Sequence, residues 1–145
     1  MIAVDTNLLV YAHRADSEWH DLAFKTIKQL AEGRRSWAIP WPCLHEFLAV
    51  VTHPKIYAPP TSLSAATAQS AAWFAAPTLI MLAETDEHWI ALSHVLTTSR
   101  VTGPRIHDAR VAALCLQHGV SELWSADRDF NRFPELKVRN PLVRT

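Results

Sequence analysis

Short apolar runs alternate with helical stretches along this chain of 145 residues. The stretches between the runs repeat apolar residues every three or four positions, which is the pattern of a helix that buries one face. Strands are predicted at residues 2–4, 37–39, 78–81 and 122–125, and Val138 is expected to anchor a fifth. Such alternation indicates a parallel sheet with helices on both faces. We therefore expect an α/β fold with three α/β/α layers and a central, mainly parallel sheet of four to five strands.

Residues that typically begin and end helices bound the predicted helical stretches. Pro42 suits a first helical turn, Asp86 is expected as an N-cap, and Gly33 and Gly119 are expected to end helices. Helices are predicted over residues 7–12, 18–32, 42–51, 64–75, 86–96 and 106–118. Because no repeat, low-complexity tract or linker interrupts this pattern, residues 1–145 are expected to form one domain.

The composition of the chain indicates the cellular compartment in which the protein is expected. No apolar run reaches the length of a membrane span, and the first residues lack the pattern of a signal peptide. Cys43 and Cys115 both fall inside apolar helical patterns, which favours buried free thiols over a disulfide. The sequence therefore predicts a cytoplasmic protein without a membrane segment.

Four short acidic motifs stand far apart in the chain, centred on Asp5, Glu46, Asp108 and Asp127. Each lies where a strand is predicted to end or in the first turns of a predicted helix. Ligands of open parallel sheets bind beyond the carboxyl ends of the strands, so these carboxylates have a common edge on which to meet. Carboxylates that converge repel each other, and their pKa values rise until a cation binds. Hard ions such as Mg²⁺ and Mn²⁺ favour oxygen ligands, so the motifs predict a divalent metal site.

Charge permits a nucleic-acid partner without demonstrating one. The chain carries 14 basic and 14 acidic residues, and setting the four motif carboxylates aside leaves 14 against 10, a surplus of four positive charges. Most of the basic residues are arginine, which binds phosphate well. The eight histidines are scattered without the close spacing of a zinc motif. Trp41 and Trp124 lie near acidic motifs and are candidates either for stacking on a base or for core packing.

Taken together, the motifs resemble the PIN-domain family, and more closely its bacterial VapC-type toxin branch. The chain opens with Ile-Ala-Val-Asp-Thr-Asn, and its later part contains Gly-Pro-Arg-Ile-His-Asp-Ala-Arg and Trp-Ser-Ala-Asp-Arg-Asp-Phe. The matching segments are residues 2–7, 46–47, 103–110, 118–120, 124–130, 132–133 and 140–142. Each segment alone occurs in many unrelated proteins, whereas all of them in this order and spacing are specific to the family.

The resemblance implies a compact α/β/α fold, RNA cleavage that depends on Mg²⁺ or Mn²⁺, and neutralisation by a cognate VapB-type antitoxin. Homodimers are common in this branch, so a homodimer is expected, or a heterotetramer or larger assembly with the antitoxin. Asp5, Glu46, Asp108 and Asp127 match the family's acidic cluster, and the usual metal-ligand assignment carries over to Asp5 and Asp108. At position 125 the family commonly has threonine, and Ser125 keeps the hydroxyl.

Two details of the acidic cluster stay open. Asp129 is a second candidate for the last acidic position, although Asp127 comes sooner after the strand and Asp129 could instead cap the local turn. Thr6, Asn7 and Ser125 could orient the carboxylates, or bond nearby backbone as turn residues do.

The chemistry that fits such a cluster is metal-assisted hydrolysis. Divalent ions neutralise the phosphate and lower the pKa of a bound water, which predicts products with 5′-phosphate and 3′-hydroxyl ends. One alternative is a module that binds RNA or protein without cutting, although retention of four acidic positions weighs against it. A phosphatase with Asp5 as nucleophile is disfavoured because Asn7 stands where a second aspartate is expected, and a phosphotransfer receiver is disfavoured because the later phospho-accepting aspartate is absent.

Overall fold

The computed structural model describes residues 1–143, and its centre is a five-stranded parallel sheet. The strands are β1 (Ile2–Val4), β2 (Trp37–Pro40), β3 (Leu79–Leu82), β4 (Glu122–Trp124) and β5 (Val138–Arg139). Their order across the sheet is β3-β2-β1-β4-β5, and every pairing is parallel. Ala3 in the central strand pairs with Ala38 on one side and with Leu123 on the other. The predicted three-layer α/β/α fold is confirmed.

Six α-helices connect the strands in this part of the chain. They are α1 (Thr6–His13), α2 (His20–Glu32), α3 (Trp41–Val51), α4 (Leu63–Phe74), α5 (His88–Ser99) and α6 (Ile106–Gln117). Short 3₁₀ helices lie at Gly103–Arg105 and Arg128–Arg132. All the predicted helices are present, with ends shifted by a few residues. None of the helices within residues 1–143 combines the length and apolar character needed to cross a membrane.

Helix ends account for the differences from prediction. The expected N-cap Asp86 is wrong, because α5 begins after Glu87, whose side chain caps nothing. Gly119 follows α6 with φ +70, the left-handed conformation expected there. Gly33 ends α2 in extended conformation instead. Arg100 takes the left-handed conformation after α5, with φ 57, a position where glycine is more common.

The core lies on both faces of the central strands. β2 is buried along its whole length, as are Ala3 and Val4 of β1, which fits strands covered by helices on both faces. Helix α6 buries every position from 109 to 115 except Arg110, and its alanines allow close approach to the sheet. Cys43 and Cys115 are buried free thiols, as predicted.

The strand order places a topological switch point at β1. The chain passes from β1 to β2 and β3 on one side, then crosses to β4 and β5 on the other. A crevice forms beyond the carboxyl ends of strands at such a point. Asp5 is the residue that follows β1, and its backbone N–H donates to the carbonyl of Trp124 at 3.0 Å. The centre of the sheet therefore presents Asp5 at the bottom of that crevice.

Candidate active site

All four motif carboxylates line one cleft at the carboxyl edge of the sheet. Asp5 follows β1, Glu46 lies in the middle of α3, Asp108 is in the first turn of α6, and Asp127 follows β4. The cleft has a volume of about 580 Å³. The fold therefore brings together residues that are up to 122 positions apart in sequence, from 5 to 127.

Asp5 is the most buried of the four, with 6% of its surface exposed. Its Oδ2 accepts a hydrogen bond from the Ser125 hydroxyl at 2.6 Å and one from the Asn7 amide at 3.4 Å. Its Oδ1 accepts from the Cys43 thiol at 3.4 Å. Burial raises the pKa of Asp5 to about 6 despite these donors, and the charge of Glu46 adds to the rise. The hydrogen bonds therefore hold this carboxylate in place, while burial destabilises its ionised form.

Asp108 stands in a cluster of like charge. Three carboxylate oxygens lie within 4.8 Å of one another, one each from Asp108, Asp127 and Asp129. Burial raises the pKa of Asp108 from its ordinary value, and the charges of Asp127, Asp129 and Glu46 raise it further, while Arg105 lowers it. Carboxylates at such short range attract a divalent cation, which relieves their repulsion. Asp5 stands outside this group of three but lines the same cleft.

Asp127 and Asp129 occupy different surroundings. Asp127 lines the cleft, and its backbone N–H donates to the Ser125 hydroxyl at 3.0 Å. The Asp127 carboxylate caps the following 3₁₀ helix by accepting from the backbone N–H of Asp129 at 2.8 Å. The carboxylate of Asp129 is 47% exposed and pairs with Arg105 at 3.0 Å. The capping role suggested for Asp129 was therefore wrong, because Asp127 performs it.

Thr6, Asn7 and Ser125 all contact carboxylates, and Ser125 also bonds nearby backbone as a turn residue does, since its hydroxyl accepts from the N–H of Asp127. The Thr6 hydroxyl lies 3.4 Å from Oε2 of Glu46, and Asn7 reaches both Asp5 and Ser125 with its amide nitrogen. The Asn7 carbonyl oxygen also accepts from a backbone N–H, that of residue 126, at 3.1 Å. These side chains thus fasten the ends of β1 and β4 together and orient carboxylates of the cleft.

Sequence reasoning missed the role of Cys43, which it assigned to core packing. Cys43 is one helical turn before Glu46 in α3, so the two share a face, and that spacing was the available signal. It also missed Tyr11 and Tyr57, which line the cleft together with His45 and His107.

The tryptophans considered for base stacking lie elsewhere. Neither Trp41 nor Trp124 is among the cleft-lining residues. Trp41 packs beside Phe74 with ring centroids 5.8 Å apart, and the Trp124 ring lies 5.6 Å from the guanidinium of Arg139. Core and surface packing account for both rings.

Residues 2–136 match the model of the PIN domain, so the chain belongs to the PIN-domain family. It is 37% identical over 142 residues to Ribonuclease VapC43 of Mycobacterium tuberculosis (strain ATCC 25618 / H37Rv), covering 98% of this chain and 96% of that protein. This likeness along nearly the full length of both chains places it in the VapC branch of the family.

Solved structures share the fold at lower sequence identity. VapBC2 from Rickettsia felis, bound to a DNA fragment from its promoter, matches with a TM-score of 0.69 at 18% identity, covering 97% of this chain and 98% of that one. Mycobacterium tuberculosis VapC20, described as a Sarcin-Ricin loop cleaving toxin, matches with a TM-score of 0.63 at 17% identity. The match covers 90% of this chain and 93% of that one.

Proposed function

We propose that this chain is the toxin component of a type II toxin–antitoxin system, and that it is a metal-dependent endoribonuclease formed by residues 1–145 as a single domain. The observation that carries the proposal is the cleft in which Asp5, Glu46, Asp108 and Asp127 meet. The raised pKa values of Asp5 and Asp108 support a cation as a ligand of this cleft, because a positive charge would stabilise the ionised carboxylates. The ribonuclease names of VapC relatives support RNA as the substrate.

Asp5 and Asp108 are the proposed metal ligands, with Mg²⁺ as the physiological ion and Mn²⁺ as a substitute. All-oxygen donors suit these hard ions, and Mg²⁺ typically binds through one or two carboxylates while keeping several waters. Glu46 and Asp127 face the same cleft and extend the negative charge around the two ligands. When bound, the ion would neutralise a substrate phosphate and activate water for hydrolysis of the phosphodiester.

The protein's own contribution is to hold these carboxylates in place. Ser125 and Cys43 donate to different oxygens of Asp5, so rotation of that carboxylate would break a hydrogen bond. The Thr6 hydroxyl contacts Glu46 from the first turn of α1. The burial of Asp5 keeps water from screening it, which strengthens its attraction for a cation. Hydrolysis by activated water predicts products with 5′-phosphate and 3′-hydroxyl ends.

The proposed protein partner is a VapB-type antitoxin that inhibits the toxin. A positively charged residue of the antitoxin, most effectively an arginine, would pair with the cleft carboxylates. Apolar side chains exposed on α2 (Leu22 and Phe24) and on α5 (Trp89 and Ile90) offer area for an antitoxin or for a second copy of the chain. We propose a homodimer, joined by antitoxin into a heterotetramer or larger assembly, acting in the cytoplasm.

The test is cleavage of RNA by purified protein with Mg²⁺, with Mn²⁺ and with EDTA. We expect Mg²⁺ or Mn²⁺ to support cleavage, EDTA to abolish it, and Asp108→Asn to reduce the rate at least about 100-fold because a ligand is lost. The matched control Asp86→Asn changes an exposed aspartate outside the cleft and should retain the wild-type rate. Full activity in EDTA, or in Asp108→Asn, would contradict the proposal.

A further inference from the structure

One wall of the cleft is apolar and aromatic, and the proposed hydrolysis leaves it without a role. Val10 and Tyr11 contribute to it from α1, Ala49 and Val50 from α3, and Tyr57 from the segment between α3 and α4. These residues line the same cleft as the four carboxylates. An RNA strand bound in the cleft would therefore pass along an apolar surface that carries two aromatic rings.

Tyr57 is supported from behind by Arg14. The guanidinium carbon of Arg14 lies 4.2 Å from the centre of the Tyr57 ring, which is cation–π geometry. Tyr57 is among the residues that line the cleft, whereas Arg14 is not. One face of the ring is thus covered by a cation and the ring remains available to the cleft.

The Arg14 side chain is itself fixed by hydrogen bonds. Its Nε and Nη2 donate to the two carboxylate oxygens of Asp16, at 2.9 and 2.6 Å. Its Nη1 donates to the Pro59 carbonyl at 3.1 Å and to the Thr61 hydroxyl at 3.2 Å. The side chain is 11% exposed. Because its donors bind both Asp16 and the segment just after Tyr57, the guanidinium forms a rigid support.

A second contact holds the segment that carries Tyr57. The two ring nitrogens of His13 lie 3.1 Å from the Thr61 hydroxyl and 3.1 Å from Oε1 of Gln69. The His13 ring also packs edge-on against Phe47 of the core, with centroids 5.5 Å apart. The end of α1 therefore clamps the segment next to Tyr57, and the ring loses little freedom when a ligand packs on it.

We propose that Tyr57 stacks on a base of single-stranded RNA and helps to select the cleavage site, and that Arg14 is the residue that positions it. This inference rests on the proposed function. Unpaired bases are commonly recognised by stacking on aromatic side chains, whereas bases within a duplex are not accessible in this way. A substrate phosphate bound through a cation at the carboxylates would lie in the same cleft as Tyr57, which would tie the choice of cleavage site to the base that reaches this ring.

The test is single-turnover cleavage of a short single-stranded RNA that contains one site cut by the wild-type protein with Mg²⁺. Loss of one stacking ring weakens RNA binding by about 5- to 150-fold. We expect Tyr57→Leu to raise the half-saturating RNA concentration by that factor with little change in maximal rate, and Tyr57→Phe to remain near wild type. The control Phe74→Leu removes a ring that is 42% exposed and outside the cleft, and it should change neither quantity.

Substrates with one base removed at a time identify the partner of Tyr57. One abasic position should weaken binding by the wild-type protein and by Tyr57→Phe, but should cause no further loss in Tyr57→Leu, because the ring and the base act as a pair. In Arg14→Gln the loss of binding caused by the same abasic position should be smaller than in the wild-type protein. Mn²⁺ binding by this variant, followed by electron paramagnetic resonance, should stay unchanged. Should Tyr57→Leu fail to fold, Arg14→Gln carries the same comparison.

Three results would overturn the inference. Additive losses at every abasic position would show that no base pairs energetically with Tyr57. Unchanged RNA binding in Tyr57→Leu, with a loss confined to inhibition by antitoxin, would assign the wall to a protein ligand. Absence of any Mg²⁺-dependent cleavage by the wild-type protein would remove the proposed function as well, whereas the first two results leave it intact.

Discussion

The hydroxyl of Ser125 lies 2.6 Å from Oδ2 of Asp5, and this hydrogen bond joins the carboxyl ends of the neighbouring strands β1 and β4. The same hydroxyl accepts from the backbone N–H of Asp127 at 3.0 Å and from the Asn7 amide at 3.4 Å. One buried side chain therefore sets the position of a proposed metal ligand and of the backbone that carries the next carboxylate.

Ser125→Ala should weaken metal binding more than it weakens the fold. The substitution removes a donor to Asp5 that lowers the pKa of that carboxylate, so the pKa should rise further and Mg²⁺ should bind less tightly near neutral pH. We expect a loss of about 1–3 kcal/mol in the free energy of unfolding, typical of a buried group left without its partner. Urea denaturation and Mg²⁺ titration of cleavage measure the two effects.

Ser125→Thr is the matched control, because threonine keeps the hydroxyl. It should retain the wild-type Mg²⁺ dependence. An unaltered Mg²⁺ dependence in Ser125→Ala would show that the 2.6 Å hydrogen bond does not support the metal site.

The burial of Asp5 should make the metal-free protein less stable as pH rises. Its pKa is about 6 in the folded protein and 3.8 for an unperturbed carboxyl, so the folded state binds the proton more tightly than the unfolded state. The stabilisation is complete below pH 3.8 and is lost as pH rises through 6. This difference in pKa corresponds to about 3 kcal/mol in the free energy of unfolding.

Asp5→Asn should remove this part of the pH dependence, because an amide does not titrate. Urea denaturation in EDTA between pH 4 and pH 8 measures it, with Asp86→Asn as the control that keeps the wild-type slope. Saturating Mg²⁺ should also reduce the loss in wild-type protein, since a cation stabilises the ionised form. Equal slopes for wild type and Asp5→Asn would show that Asp5 titrates normally in the folded chain.

Cys43 and Cys115 offer a matched pair of buried thiols with different contacts. Cys43 donates to Oδ1 of Asp5, whereas Cys115 makes no such hydrogen bond within the described residues. Substitution of either by alanine should cost about 1–2 kcal/mol of stability through the small cavity it leaves. Only Cys43→Ala should also weaken Mn²⁺ binding, because it frees one oxygen of a proposed ligand.

Electron paramagnetic resonance of bound Mn²⁺ compares the two variants directly. Cys43→Ser, which keeps a donor, should recover part of the affinity. Equal Mn²⁺ affinity in Cys43→Ala and Cys115→Ala would rule out a positioning role for the thiol.

The periodicity of the sequence was sufficient to predict the fold and to place Asp5 and Asp127 at one edge of the sheet, whereas Glu46 and Asp108 were assigned from the acidic motifs and the family resemblance. Apolar runs of strand length locate β1, β2 and β4, and the residues that follow them must meet at one edge of a parallel sheet. The contacts that orient Asp5 could not be predicted in the same way. Cys43 reaches Asp5 across 38 positions of sequence because α3 packs beside α1, and local sequence does not determine how two helices pack.

The aromatic wall escaped prediction for a related reason. Tyr57 lies in a segment without regular periodicity, and its position depends on contact with Arg14, which is 43 positions earlier in the chain. Local sequence carries no information about such a contact. The N-cap expected at Asp86 failed because the turn before α5 is one residue longer than expected, so that Glu87 is the N-cap, and local preferences do not determine such a shift.

Asp127→Asn and Asp129→Asn should separate the two candidates for the fourth acidic position. The amide introduced by Asp127→Asn keeps a side-chain oxygen that can cap the 3₁₀ helix, so the fold should be retained while the cleft loses a negative charge. We expect RNA cleavage to fall at least about tenfold, since that charge surrounds the proposed metal ligands. Asp129→Asn removes an exposed charge that pairs with Arg105 and lies outside the cleft lining, so the cleavage rate should stay within about threefold of wild type because that charge is already partly neutralised and screened by solvent. Cleavage rates at saturating Mg²⁺, with circular dichroism as the check on folding, decide between them. The reverse ranking would assign the fourth position to Asp129, whose oxygen also lies within 4.8 Å of one from Asp108.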